Sequence, residues 1–249
     1  MGALVEYPVL NGERKADVVV VGGGITGGLV ARRLSAEGRH IIVLERRRVA
    51  SGTTGHSTAK VTALHSTSWR ELLGKQPHDM MCTWALANLA AVNELSNIAR
   101  ATGTDCDLRT LSAYLVAGDD EASEGFGGHV TALLKAGLPV TALDAPSPFA
   151  RPAAELPRQA MIDPAAFVLD VLSSLTEQVD VYERTPVRSL QRVDDGWCAR
   201  CDEGSAWAPT VVMADHSPVH DTVGFFGRLF PYTHFVLQVA PRIAIPNGM

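Results

Sequence analysis

Three glycines and one glutamate carry the first chemical signal in this chain. Gly22, Gly24 and Gly27 stand at G-x-G-x-x-G spacing. Glycines so placed suit a diphosphate: the first permits a tight turn, the second lets phosphate oxygens approach the backbone, and the third lets a helix pack closely on the preceding strand. A helix beginning there offers unpaired N–H groups and partial positive charge, so a diphosphate needs no lysine. Glu45 follows roughly twenty residues on, where a carboxylate can accept both hydroxyls of an adenosine ribose. Its charge opposes a 2′-phosphate, which argues against NADP.

Holding these groups requires strand, turn, helix and strand in succession. Asp17 is followed by four valines, Val18 to Val21, a run suited to a fully buried parallel strand. Leu29, Val30, Ala31 and Leu34 mark the helix face expected against the sheet, and Gly38 ends the helix. Ile41 to Leu44 is the second strand, so a βαβ unit is expected from about Ala16 to Glu45. Arg46 to Thr62 is polar and rich in Ser, Thr and Gly, and a loop of that length usually carries function.

The order GGGITGG, then VLERRRVASGTTGHSTAKVT, resembles the FAD-dependent oxidoreductases of the D-amino-acid oxidase and glycine oxidase superfamily. It is most similar to the bacterial branch in which the flavin module precedes a Rieske iron–sulfur domain. The resemblance implies an α/β fold: a Rossmann-like, glutathione-reductase-like FAD-binding domain with an interleaved α+β substrate domain. It implies FAD as cofactor and hydride transfer to flavin N5 from a C–H next to an amine nitrogen, in an amino acid or secondary amine. By the same resemblance Arg46, Ser51, Thr53, Thr54, His56, Ser57, Thr58 and Lys60 join Gly22, Gly24, Gly27 and Glu45 around FAD. In dimethylglycine and sarcosine dehydrogenases a similar Ser-Gly-Thr-Thr-x-His order presents a histidine bonded covalently to the flavin; for His56, covalent and non-covalent contact both stay open. The stretch Tyr-Glu-Arg-Thr-Pro-Val187 is similar to the segment whose valine backbone meets adenine, and Val-Val-Met-Ala214 to the strand leading back to the diphosphate. Asp215 departs from the family's Thr and would repel a diphosphate. No catalytic residue is assigned.

Apolar positions Met81, Trp84, Leu86, Leu89, Val92, Leu95 and Ile98 predict one long helix over Pro77 to Thr102. Leu108 to Leu111 and Tyr114 to Ala117 read as a hairpin, Asp119 to Ala136 as a helix broken at its glycines, and Val140 to Leu143 as a strand. Beyond proline-rich Pro146 to Pro157, Asp163 and Pro164 predict an N-cap and first helical residue. Strands follow at Val179 to Tyr182, Val187 to Gln191, Trp197 to Cys201, Ala206 to Trp207 and, buried, Thr210 to Ala214. Tyr232 to Ala240 reads as a further strand. These elements place the FAD-binding domain at 1–76 and 146–222 and a partial substrate domain at 77–145 and 223–249. By resemblance, about as much chain again is expected after Met249.

Composition bounds the rest. The 249 residues are 46% hydrophobic and 20% charged, enough for a sizeable core, and a net charge of −5 offers no basic field for nucleic acid. No apolar run approaches the roughly eighteen residues of a membrane span, and no signal peptide is evident, so a cytoplasmic protein is expected. Cys198-Ala-Arg-Cys201 has C-x-x-C spacing, but in an expected strand positions i and i+3 point to opposite faces, and no second pair completes a metal site. His216 and His220 are separated by Pro218, which opposes helical pairing. No metal is expected. The implied partners are a small-molecule amine or amino acid and a Rieske domain or other electron acceptor outside this chain. Two other readings of the same residues stand beside the oxidoreductase: a nucleotide-binding fragment without turnover, and an NAD-dependent dehydrogenase.

Overall fold

A computed structural model of the chain describes residues 5–65, 69, 75–103, 105–144, 151–175, 177–217, 221, 224 and 226–229. In chain order the elements are β1 (Gly12–Lys15), β2 (Val18–Val21), α1 (Ile25–Ser35), β3 (Ile41–Leu44), a 3-10 turn (Thr54–His56), β4 (Lys60–Val61), α2 (His78–Ala101), β5 (Arg109–Val116), α3 (Asp120–Glu124), α4 (Phe126–Lys135), β6 (Thr141–Leu143), β7 (Ala153–Met161), α5 (Pro164–Ser173), β8 (Val179–Tyr182), β9 (Ser189–Val193), β10 (Gly196–Arg200), β11 (Gly204–Ala208), β12 (Thr210–Met213) and a 3-10 turn (Phe226–Arg228). They gather into two compact units, one of Met1–Thr58, Thr104–Cys106 and Asp163–His234, the other of Ala59–Gly103, Asp107–Ile162 and Phe235–Met249.

In the first unit the parallel sheet runs β12-β2-β3-β8. Every residue of β2 and β3 is buried, as expected of a strand covered on both faces. A second sheet, β1-β11-β10-β9, shares a core with it in which Val19, Val21, Ile42 and Leu44 meet Leu10, Val187, Leu190 and Ala206. Each of the Val, Ile and Leu side chains contributes about 1.5–3 kcal/mol on burial. Helix α1 buries Gly27, Gly28, Ala31 and Ser35, whereas the expected Leu29, Val30 and Leu34 are only half-buried. The small residues face inward because α1 also packs on α5: a Cβ on Gly28 would lie 3.2 Å from Val168 Cγ1. Helix α5 begins as predicted, with Asp163 accepting hydrogen bonds from the Ala165 and Ala166 N–H groups and Pro164 in its first turn. Strand β9 lies two residues beyond its expected place, and β12, expected buried, stands at the end of the sheet among the described residues, with an exposed Thr210 and half-buried remainder.

The second unit is an antiparallel sheet, β4-β7-β5, with β6 also on β7. Its core joins Met81 and Ala85 of α2, Ala113 and Leu115 of β5, Val130 and Leu133 of α4, and Leu156 of β7. The long helix is present, but Leu86 lies exposed on it. Several expectations fail here. The hairpin over Leu108 to Ala117 is one strand with an irregularity between Leu111 and Ala113, and Ser112, placed in the turn, instead donates to Glu155 Oε1 at 2.6 Å. Residues 151–162, assigned from sequence to the FAD-binding domain, belong to this unit because β7 pairs along β5. Pro157 is accommodated where the pairing skips from Leu156 to Gln159, with Arg158 at φ +57°, a bulge that spares proline its missing N–H. Residues 59–65 belong there too. The helix expected over Asp119 to Ala136 is two, divided at Gly125. Tyr232 to Ala240 lies outside the described residues. Among the described residues no helix is long and apolar enough to cross a membrane.

Candidate functional site

The site grows from the end of β2. Gly22 has φ +110°, and a Cβ on it would strike the Ala214 carbonyl just past β12. A Cβ on Gly27 would strike the Gly22 carbonyl, so the helix can approach the turn only through glycine. Gly24 caps α1 without a side-chain bond, and a Cβ on it would stand 3.0 Å from Thr54 Oγ1. The Thr54 hydroxyl accepts from the Ile25 N–H at 3.0 Å, filling one orphan donor of the helix N-terminus and leaving its own proton free to donate.

Glu45 is fixed by its neighbours. Its Oε2 accepts from the Gly23 N–H at 2.8 Å and its Oε1 from the Arg47 N–H at 2.8 Å. Each carboxylate oxygen keeps acceptor capacity for a hydroxyl. The polar loop beyond folds back on the turn: the Ala50 N–H donates to the Gly23 carbonyl at 3.0 Å, and the Gly55 N–H to the Ala50 carbonyl at 2.8 Å.

These elements border an open cleft of about 980 Å³ lined by Gly22, Gly24, Glu45, Arg46, Thr53, Thr54, Ser57, Val187 and Ala214 of the predicted set. Residues near 22, 45, 54, 187 and 214 are thus brought to one place. Asp215, Arg47 and Arg188 line it as well. Arg188 forks onto Asp202 at 2.8 and 2.9 Å, which holds the Asp202 carboxyl below the usual carboxylate range. The other predicted residues do not line the cleft. Gly27 lies behind the turn. Ser51 accepts at its hydroxyl from the Arg48 N–H at 3.4 Å, and Thr58 is exposed. Lys60 opens β4 in the second unit, paired with Met161. His56 is exposed with Nδ1 at 2.8 Å from the Gly52 carbonyl, an acceptor that calls for a proton on Nδ1.

Glu183 was not foreseen. It is 1% exposed, its Oε1 accepts from the Val49 N–H at 2.7 Å, and Arg48 Nε lies 3.5 Å from its Oε2. A Glu at a strand end carries no local sign of burial. Nearby, burial and then the charges of Glu183 and Asp170 push the Tyr7 phenol up to about 12. At the C-x-x-C pair, Cys198 and Cys201 are both free, and burial followed by the Asp202 charge pushes the Cys201 thiol up to about 11. Among the described residues no group of three or more His, Cys, Asp and Glu could hold a metal ion.

The chain matches the DAO family, FAD dependent oxidoreductase, over residues 17–247. It belongs to that family. As a DAO-family FAD-dependent oxidoreductase it has an α/β fold and a flavin cofactor, as the sequence resemblance implied. A similar protein is YhfW of Bacillus subtilis (strain 168), which carries the name of a Rieske 2Fe-2S iron-sulfur protein, 26% identical over 99% of this chain and 49% of its own length. Glycine oxidase from Geobacillus kaustophilus superposes with a TM-score of 0.68 at 20% identity, over 81% of this chain and 55% of that one. L-Amino acid deaminase from Proteus myxofaciens does so with 0.67 at 17% identity, over 84% and 47%. The chain spans about half the length of these relatives. The glycine-lined turn, the helix N-terminus and the oriented Glu45 fit the adenosine diphosphate half of a flavin dinucleotide.

Proposed function

We propose that this chain carries the FAD-binding part of an enzyme that oxidises a C–H next to an amine nitrogen, in an amino acid or a secondary amine. The observation that carries the reading is the cleft itself, where a glycine turn too close for side chains, a helix N-terminus and the anchored Glu45 carboxylate converge. Glu45 binds the adenosine ribose hydroxyls. Gly22, Gly24 and the Thr54 hydroxyl receive the diphosphate, with Thr53, Ser57 and Ala214 beside it, and the Val187 backbone meets adenine. Arg46, next in the chain to Glu45, adds positive charge to the cleft lining. The chemistry a flavin supplies there is acceptance of a hydride at N5; the chain's own residues bind and orient it. Glycine oxidase and L-amino acid deaminase among the similar folds support amine and amino-acid substrates. The name of YhfW supports a Rieske-type domain as the electron partner. Four cysteines, none of them joined in a disulfide among the described residues, support a reducing compartment, the cytoplasm.

The test is spectroscopic. The protein titrated with FAD should develop the perturbed absorbance bands of a bound flavin, and anaerobic addition of glycine, sarcosine or other amino acids should bleach them. Bound flavin that no amine bleaches would leave a nucleotide-binding fragment; no binding at all would remove the flavin assignment.

A further inference from the structure

We infer that Glu183 is a positioning residue that clamps the loop 46–55 onto the glycine turn, and so sets flavin affinity from behind the cleft. The inference rests on the FAD reading above for what the loop serves, and on the hydrogen bonds of the structure for the clamp.

A carboxylate 1% exposed is rare unless it is held by partners. Among the described residues, the groups that bond or pair with this carboxylate lie in the loop. Oε1 takes the Val49 N–H at 2.7 Å, while Oε2, which makes no hydrogen bond among the described residues, faces Arg48 Nε across a 3.5 Å ion pair. The flanking backbone repeats the attachment: the Arg184 N–H donates to the Arg47 carbonyl at 2.7 Å and the Thr185 N–H to the Glu45 carbonyl at 2.8 Å. On the other side the Glu183 N–H donates to the Pro8 carbonyl at 3.0 Å, which ties the corner to the N-terminal segment.

From Val49 the effect passes along bonded neighbours. Ala50, next in the chain and held at φ +60°, donates to Gly23 and accepts from Gly55. Gly55 follows Thr54, whose hydroxyl accepts from Ile25 at the start of α1. A Cβ on Gly55 would come within 2.6 Å of the Ala50 carbonyl, so this return has little slack. Without the Glu183 carboxylate the Val49 N–H is buried unpaired and the loop loses a side-chain anchor to that corner, at a cost of the order of a lost hydrogen bond to a charged group.

The experiment compares the unsubstituted protein with Glu183→Ala, Glu183→Gln and Glu183→Asp, measuring FAD affinity by quenching of flavin fluorescence and, without FAD, hydrogen exchange by mass spectrometry. Glu183→Ala should weaken FAD by about 10- to 100-fold, with exchange protection lost over residues 46–56 and kept in β2, β3 and β8. Glu183→Gln, which still offers an oxygen to Val49, should recover most of the affinity. Glu183→Asp keeps the charge but withdraws it from Val49, so its affinity should fall even if Glu183→Ala does not fold. Unchanged affinity in the Ala and Asp variants would overturn the inference. So would protection lost evenly through β2, β3 and β8, which marks a general packing role. Should the unsubstituted protein not bind FAD, the flavin reading fails, and the exchange pattern alone still decides whether Glu183 clamps the loop.

Discussion

Glycines mean different things in the two units. At the turn after β2 they are crowded places: a Cβ on Gly22 or Gly27 would strike backbone, whereas one on Gly24 would press only on the Thr54 hydroxyl. Around α3 and α4 of the second unit, Gly118, Gly125, Gly127 and Gly128 have nothing within 4 Å of where a Cβ would stand. The first set permits close approach, of helix to strand and of diphosphate to backbone; the second only loosens or divides helices. A run of glycines in a sequence therefore announces a site only when backbone crowds it, and crowding is a tertiary property.

Substitutions test that contrast directly, and the largest effect should come from Gly27→Ala. A methyl forced against the Gly22 carbonyl must part α1 from β2, costing about 3 kcal/mol or more, and chemical denaturation should show it even without flavin. If stability is unchanged, the close approach is not needed. Gly24→Val should separate fold from function: the far neighbour is one hydroxyl, so the denaturation midpoint should stay near that of the parent while flavin retention through gel filtration disappears. Retention in a folded Gly24→Val protein would sink the diphosphate assignment.

Glu45→Gln should be milder. An amide can present its oxygen to only one of the Gly23 and Arg47 N–H groups and turns its NH2 toward the other. Together with a weaker bond to ribose, this should reduce FAD affinity by roughly 1.5–3 kcal/mol, measured by fluorescence titration. The smallest change is expected from Gly128→Ala in α4, where open surroundings and a helical site predict a gain of at most about 1 kcal/mol. Flavin affinity should not move with it; a loss of stability there would contradict the contrast between the two glycine sets.

The pH dependence of the β10–β11 hairpin offers a finer probe. Burial raises the Cys201 thiol to about 11 from an ordinary 9.0, so between those values the unfolded chain has released a proton that the folded chain still holds. Stability contributed by the neutral thiol is therefore full below pH 9.0 and lost as pH rises through about 11. Alkylation of Cys201 at pH 9 should accordingly be slower than that of an unburied thiol, and Cys201→Ser should flatten the alkaline loss of stability.

Much of the first unit was legible because its determinants are local. Four valines, three glycines at set spacing and the Asp163-Pro164 cap act within a turn or a strand, where backbone sterics and one hydrogen bond decide the outcome. Glu45 could be located for the same reason, by counting from the turn. The second unit read less well: β7 hid in a proline-rich stretch, and Ser112 looked like a turn, because a bulge and a partner 43 residues away made both acceptable in strands. Glu183 was invisible, since its burial depends on a bond to Val49 across 134 residues. The sequence by itself determined the βαβ unit, its glycine turn and its acidic end, through interactions among neighbours in the chain. Only the tertiary structure decided which side chains close the cleft and which carboxylate stands behind it, because desolvation and long-range hydrogen bonds exist only once distant segments have met.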